Sequence, residues 1–510
     1  MSQLSTESRY DSLNAIDSSI NKAAFYFIIS AITWLILSSL FAVIGGVKTI
    51  SPNFLSTYEG FTFGRIQAML NSTLIMGWCS NAIFAVAFWI MARLSKTPIK
   101  HGGILLIAGI IWNIALTLGL LGIFIGDATA YTWMEFPRYT SGIFLLAYTL
   151  VAVWGIIAYR HKQNDYSYVS QWYILGGLLW FPWIFVIGQF FINWFPVRGV
   201  LQSIVHAWYI NNVFYLWLCP IALGACYYFI PKLSNTPIRS YHMSSLAFWT
   251  FVLFASWSGM TYLIGAPVPV WLTTTSIVFA ISLAIPTLIF YVNLIGTAFG
   301  NFSQLKSNLA LKFITFGSVA FVLHLIIKMG LSVSSIDAVA RFTLIYEAHH
   351  WQLIYGFFSM IFFGAFYYLV PTLLNHPFKS FFLPNLHFVL SAIGIVFLLI
   401  ALYLSGWQQG TQYNTAELSF LEIAQNLSLW MQLKLVGLSI LFIANLLFAF
   451  NITALLLSKL LDALPSFSKD KLNHKLTFQP TYTNRINVSN YGRYEYDGRK
   501  NKFEYLLTTS

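Results

Sequence analysis

The sequence predicts an all-α membrane protein, with twelve transmembrane helices arranged as three pseudo-threefold arcs of four helices each. Three observations carry that reading. Hydrophobic residues make up 58% of the chain, aromatics 18% and charged residues only 9%, with a mean hydropathy of +0.69, a composition outside the range of soluble globular domains. Apolar runs of about 20 residues or more recur along the chain, each long enough to cross the hydrocarbon core as a helix and too long for the strands of a barrel. A short pattern also returns at intervals of 139 and 140 residues, which groups the runs into units.

The runs lie near residues 23–49, 66–92, 103–126, 140–159, 170–194, 203–230, 243–265, 270–297, 311–333, 349–371, 385–406 and 427–457. Ahead of them, residues 1–22 (MSQLSTESRYDSLNAIDSSINK) are polar and form an N-terminal segment. The first apolar run is too long for a signal-peptide core, so no cleavable signal is expected. The membrane domain is 23–457, and 458–510 form a C-terminal tail rich in Asn, Tyr, Lys and Arg. That tail reads either as an extension that orders on another subunit or as a disordered segment.

Orientation follows from the connections, because Lys and Arg are retained on the cytoplasmic side. With the N-terminus inside, the inner connections hold Arg93, Lys96, Lys100, Arg160, Lys162, Lys232, Arg239, Lys306 and Lys379. The tail adds Lys459, Lys469, Lys471, Lys475, Arg485, Arg493, Arg499, Lys500 and Lys502. Outer connections hold Arg65, Arg138, Arg198 and Arg341, mixed with Asp127, Glu135, Asp337, Glu347, Glu417 and Glu422. The formal charge of +12 is therefore an orientation signal with affinity for the anionic heads of the lipid bilayer, and no nucleic-acid partner is expected.

The repeat ends the second, sixth and tenth runs: AFWIMARLSKTP (87–98), CYYFIPKLSNTP (226–237) and FYYLVPTLLNHP (366–377), closing on Pro98, Pro237 and Pro377. GACYYFIPK and GAFYYLVPT extend the match between the second and third copies. Three successive four-helix units follow, and repetition around an axis puts the second, sixth and tenth helices in equivalent places with room for cofactors between the arcs. Cys79, Cys219 and Cys226 all fall inside apolar runs without CxxC spacing and read as small core residues.

Four stretches carry a family resemblance. GRIQAMLNSTLIMGWCSNAIFAVAFW (64–89), IVHAWYINNVFYLWLCPIALGACYYFIPKLSNTPIRSYHMSSLAFW (204–249), SWSGMTYLIGAPVPVW (256–271) and YEAHHWQLIYGFFSMIFFGAFYYLVP (346–371) resemble the second, sixth, seventh and tenth helices of subunit I of the cbb-type (C-family) haem-copper cytochrome c oxidases. The similarity runs over most of residues 20–460 and leaves the tail unexplained. It implies a twelve-helix, three-arc fold with a low-spin haem, a high-spin haem and an active-site copper. It further implies a multi-pass protein of the bacterial inner (cytoplasmic) membrane, with both termini cytoplasmic. Its partners would be other membrane subunits of a respiratory complex, c-type cytochrome subunits among them.

Residue by residue, most of the family's ligand positions hold other side chains here. The family's RxRPLH on the second helix supplies a low-spin haem ligand; this chain reads RIQAMLN, which puts Leu70 there. WWYGHN on the sixth helix supplies a copper ligand, and AWYINN puts Asn211 there. WAGPHH on the seventh supplies two more, and WSGMTY offers Thr261 and Tyr262, while the family's catalytic tyrosine corresponds to Ala255. On the tenth, HVH supplies the high-spin and second low-spin ligands, whereas this chain reads His349, His350, Trp351. Of these ligand positions His349 alone matches. A low-spin haem needs two strong axial ligands and such a copper centre needs several imidazoles. The resemblance therefore implies that copper is absent and that any haem retained is a single one with His349 as its axial ligand.

Adjacent helical residues diverge by about 100°, so His349 and His350 do not face one metal together. Two readings stay open for them: His349 facing the inter-arc space to hold a five-coordinate haem, or both as boundary histidines bonded to water or to Glu347. His324 and Lys328, four residues apart on the ninth helix, form a candidate polar path, with a lysine satisfied by neighbouring carbonyls as the structural alternative. Lys434 is expected to snorkel to the interface. The favoured function is a degenerate, non-catalytic or scaffold subunit related to the catalytic subunit of a respiratory oxidase. Two alternatives stay open: an active oxidase or nitric oxide reductase-like enzyme with altered haem ligation, and a proton or small-molecule conduit.

Overall fold

The computed structural model describes residues 2–163, 166–463, 494–497 and 502–505. Among them, twelve helices are long and apolar enough to cross a membrane: α1 (Leu13–Ile50), α2 (Phe63–Ser95), α3 (Gly103–Ile125), α4 (Arg138–Arg160), α5 (Val169–Trp194), α6 (Val200–Ser234), α7 (Tyr241–Leu263), α8 (Val270–Ser307), α9 (Leu309–Leu331), α10 (Leu344–Leu374), α11 (Phe382–Tyr413) and α12 (Ser428–Leu461). Each expected apolar run coincides with one of them. Pro182, Pro231 and Pro371 lie inside helices, which buried spans tolerate because neighbouring groups meet the freed carbonyls.

Packing between neighbours runs α3–α4–α5–α6, α7–α8–α9–α10 and α11–α12–α1–α2. One arc is thus assembled from both ends of the chain, so the units are not simply consecutive. The repeat marks the last helix of each arc, and the arc ending in α2 takes its first two helices from α11 and α12. The most hydrophobic stretches of α2, α6 and α10 are wholly buried, unlike those of the other nine helices, so these three form the centre. Trp89 of α2 joins them, with ring centroids 5.7 Å from Tyr228 and 6.2 Å from Phe229 on α6 and 5.8 Å from Tyr368 on α10.

The repeated sequence has a repeated backbone. Lys96, Asn235 and Asn375 end the central helices in the left-handed region, at φ 56°, 54° and 49°, each two residues before the shared proline, so every copy stops its helix in the same way. Towards the other end, each central helix passes through wider π turns, at Thr73–Cys79, Val213–Leu218 and Gln352–Ser359. The end at which α2, α6 and α10 begin is called the site end below.

The polar segment 1–22 is continuous with the first span, because one helix runs Ser2–Ile50. Asp17 on it pairs with Arg93 of α2 and accepts from Trp89 Nε1 at 3.1 Å. In the tail, Tyr494–Asp497 pairs antiparallel with Lys502–Tyr505. Aromatic and charged residues alternate in both segments, the period of a strand, so these eight residues depart from the otherwise all-helical class. The tail cations Lys469, Lys471, Lys475, Arg485, Arg493, Arg499 and Lys500 lie outside the described residues.

Candidate functional site

At the site end, α6, α7, α9 and α10 bring a group of polar side chains into the apolar interior. Gly259 lets α7 approach α6 closely, since a Cβ there would lie 2.6 Å from Asn211 Cβ and 3.1 Å from the Ala207 carbonyl oxygen. After Trp257, α7 tightens into a 3₁₀ stretch, Ser258–Leu263. Thr261 there donates through its hydroxyl to Ser258 O at 2.9 Å and through its N–H to Ser276 Oγ at 3.1 Å.

Asn211 is buried and fully engaged. Its Nδ2 donates to Ala255 O at 2.7 Å, and its Oδ1 accepts from Ser258 Oγ at 3.3 Å and from Lys328 Nζ at 3.4 Å. Lys328 is only 5% exposed, and its Nζ lies 4.5 Å from the ring centre of Tyr215 and 5.8 Å from that of Tyr262. One turn earlier, His324 Nε2 shares a 2.6 Å hydrogen bond with Tyr215 Oη.

His349 is buried, and its imidazole stacks on that of His324 with ring centroids 3.8 Å apart. His350 points elsewhere, its ring 5.4 Å from Trp133, 5.7 Å from Phe214 and 6.5 Å from Tyr262. The expected Glu347 partner is not bonded to either histidine side chain among the described residues. Glu347 is taken by Lys434, whose Nζ is 2.7 and 2.9 Å from its two carboxylate oxygens. Lys434 thereby ties α12 to α10.

Leu70 lies buried near the start of α2, where a side chain of that kind offers no polar atom, and Trp351 packs half-buried against the main core. Beside Leu70, Asn71 Nδ2 and Ser72 Oγ donate to Glu135 at 2.9 and 3.1 Å, and the Trp133 N–H adds a third donor at 2.8 Å. Glu135 belongs to the connection between α3 and α4, and burial pushes its carboxyl up to about 7 against the pull of these donors. A cavity of about 410 Å³ opens at the same end, its walls including Lys48, Phe63, Leu344, Gln409, Tyr413 and Met431.

Sequence reasoning missed the clamp on the α7 terminus. Arg341 donates to Tyr262 O at 2.6 Å and to Thr261 O at 2.8 Å while bonding Asp337 at 2.6 Å, and Tyr346 Oη completes Asp337 at 2.6 Å. The available signal is the four-residue spacing of Asp337 and Arg341, the helical pairing distance, in a connection otherwise read as carrying scattered charges. Glu135 lacked even that signal, because its two side-chain donors come from a helix more than sixty residues earlier in the chain.

The model of the family described as Cytochrome C and Quinol oxidase polypeptide I matches residues 22–440. The chain belongs to this family. It is 23% identical over 446 residues to the Cbb3-type cytochrome c oxidase subunit CcoN1 of Stutzerimonas stutzeri, covering 84% of this chain and 94% of that one. A cytochrome c oxidase subunit 1 homolog of Agrobacterium tumefaciens is 23% identical over 401 residues, covering 76% of this chain and 74% of the relative. Among solved structures, a haem-copper terminal oxidase dimer studied by cryo-EM matches with a TM-score of 0.68 at 15% identity, over 85% of this chain and 84% of that one. The fold is thus that of an oxidase subunit I, a multi-pass membrane protein of a haem-binding family. The resemblance drawn from the α2, α6, α7 and α10 sequences is the same family.

Proposed function

We propose that this chain is a scaffold subunit of a respiratory membrane assembly, an oxidase subunit I relative whose own oxygen-reducing centre is lost. The observation that carries this reading is the Asn211 amide. It stands where the family resemblance puts a copper-binding imidazole, and both its ends are engaged with Ala255, Ser258 and Lys328.

The donor chemistry of the other positions points the same way. Leu70 has no lone pair and the Trp351 indole is a donor only, so the pair does not fit a low-spin haem. Asn211, Thr261 and Tyr262 do not fit a copper centre that requires imidazoles. His349 does fit the requirement of a five-coordinate haem, which takes one axial imidazole, and its Nδ1 has no hydrogen-bond partner. One haem at His349 is therefore the most this residue set would hold.

The cation distribution supports cytoplasmic termini, and the likeness to bacterial oxidase subunits supports the bacterial inner membrane, a membrane domain of 23–457, and a tail of 458–510 available to other respiratory subunits, including c-type cytochrome subunits. Purified protein tests the reading through a reduced-minus-oxidised spectrum, metal analysis after chelator washing and oxygen uptake with a reduced c-type cytochrome. No sharp low-spin α band, no stoichiometric copper and no oxygen uptake are expected. A low-spin band together with oxygen uptake from this chain alone would sink the proposal in favour of an active enzyme with altered ligation.

A further inference from the structure

We infer that the side-chain nitrogen of Lys328 stands in the place that the copper ion takes in haem-copper relatives, an amine of the protein substituting for the metal. The inference rests on the reading above that the chain carries no copper, and goes beyond it by naming what fills the site.

The copper-ligand positions named by the resemblance lie on α6 and α7, at Asn211, Thr261 and Tyr262. Lys328 reaches two of the three from α9, with Nζ 3.4 Å from Asn211 Oδ1 and 5.8 Å from the centre of the Tyr262 ring. A third surface, the Tyr215 ring, lies 4.5 Å away. The lysine nitrogen donates to an amide oxygen and lies against two aromatic faces, and none of these is a strong copper ligand. Replacing imidazoles by an amide and a phenol therefore exchanges a metal-coordinating set for one suited to an ammonium.

The surroundings hold the lysine there. Its helix is fixed one turn earlier by the His324–Tyr215 bond and by the stacking of His324 on His349. The α7 wall is fixed by Arg341, bonded to the carbonyls of Thr261 and Tyr262. A buried lysine is expensive in a membrane unless something specific is gained, and here its nitrogen meets an amide oxygen and two aromatic rings. A metal ion at the same point would overlap the nitrogen, which already fills the space beside Asn211 Oδ1 and the Tyr215 and Tyr262 rings.

Two full-length variants test the assignment. One carries Asn211→His, Thr261→His and Tyr262→His with Lys328 retained; the other adds Lys328→Ala. Copper supplied alone and measured after chelator washing should be absent from the first and reach about one per chain in the second. Equal copper in two well-folded variants would overturn the lysine assignment. If either variant aggregates, the pair Asn211→Leu and Lys328→Met decides by thermal denaturation in detergent: Lys328→Met should recover most of the midpoint lost in Asn211→Leu, whereas independent, additive losses would overturn the assignment. Stoichiometric copper in the unmodified protein would instead defeat the scaffold reading, so the two failures are distinguishable.

Discussion

The imidazoles of His324 and His349 lie 12° from parallel with their centres 3.8 Å apart, joining α9 to α10 at the site end. The stack is braced on the His324 side by the 2.6 Å hydrogen bond shared between His324 Nε2 and Tyr215 Oη. This stack faces the Lys328 group, while His350 turns towards Trp133 and Phe214. The two adjacent histidines therefore have different neighbourhoods and different consequences when removed.

Substituting His349 by Ala is expected to abolish any haem carried by the purified chain, and His350→Ala to leave it nearly intact. Their side chains diverge by about 100° around the helix, so one cannot take over from the other. Pyridine haemochrome assays on both variants check this. Haem surviving both substitutions would remove His349 as the ligand.

Arg341→Ala should lower stability by about 3 kcal/mol, since it leaves Asp337 buried without its cation and frees two carbonyls of α7. Asp337 is 2% exposed, which makes the unpaired charge costly. Arg341→Lys should recover only part of the loss, because a lysine lacks the fork that bonds Asp337 and both carbonyls together. Thermal denaturation in detergent gives the order; an Ala variant as stable as the parent would show that the clamp does not matter.

Helix number and family were legible because both rest on long stretches: run length sets the spans, and the repeat survives in GACYYFIPK and GAFYYLVPT. Closure of one arc by α11 and α12 was not, since a repeat marks order along the chain and not which ends meet. Within the site, the four-residue spacing of His324 and Lys328 exposed their shared face. Their partners Tyr215 and Asn211 sit on another helix more than a hundred residues away, and no periodicity reports such a contact. The partner of Lys434 was hidden for the same reason, because Glu347 arrives from α10.

Gly259→Ala should cost about 1 to 3 kcal/mol, because the added methyl meets Asn211 Cβ at 2.6 Å and forces α7 away from α6. The displacement would also loosen the Asn211 bond to Ala255 O. Denaturation midpoints test the cost. A neutral outcome would mean that the two helices are not in such close contact.

Glu135 makes stability depend on pH in a direction set by its burial. Its carboxyl is raised from 4.5 to about 7 in the folded protein, so the folded state binds its proton more tightly than the unfolded state does. The contribution is fully present below pH 4.5 and is lost as pH rises through about 7, amounting to roughly 3 kcal/mol by linkage. Glu135→Gln keeps an oxygen for the donors Asn71 and Trp133 while removing the titration. The variant should therefore flatten the fall in thermal midpoint between pH 5 and 8 and exceed the parent in stability at the upper end of that range. Parallel pH profiles for parent and variant would contradict this account, since the slope would then belong to other groups.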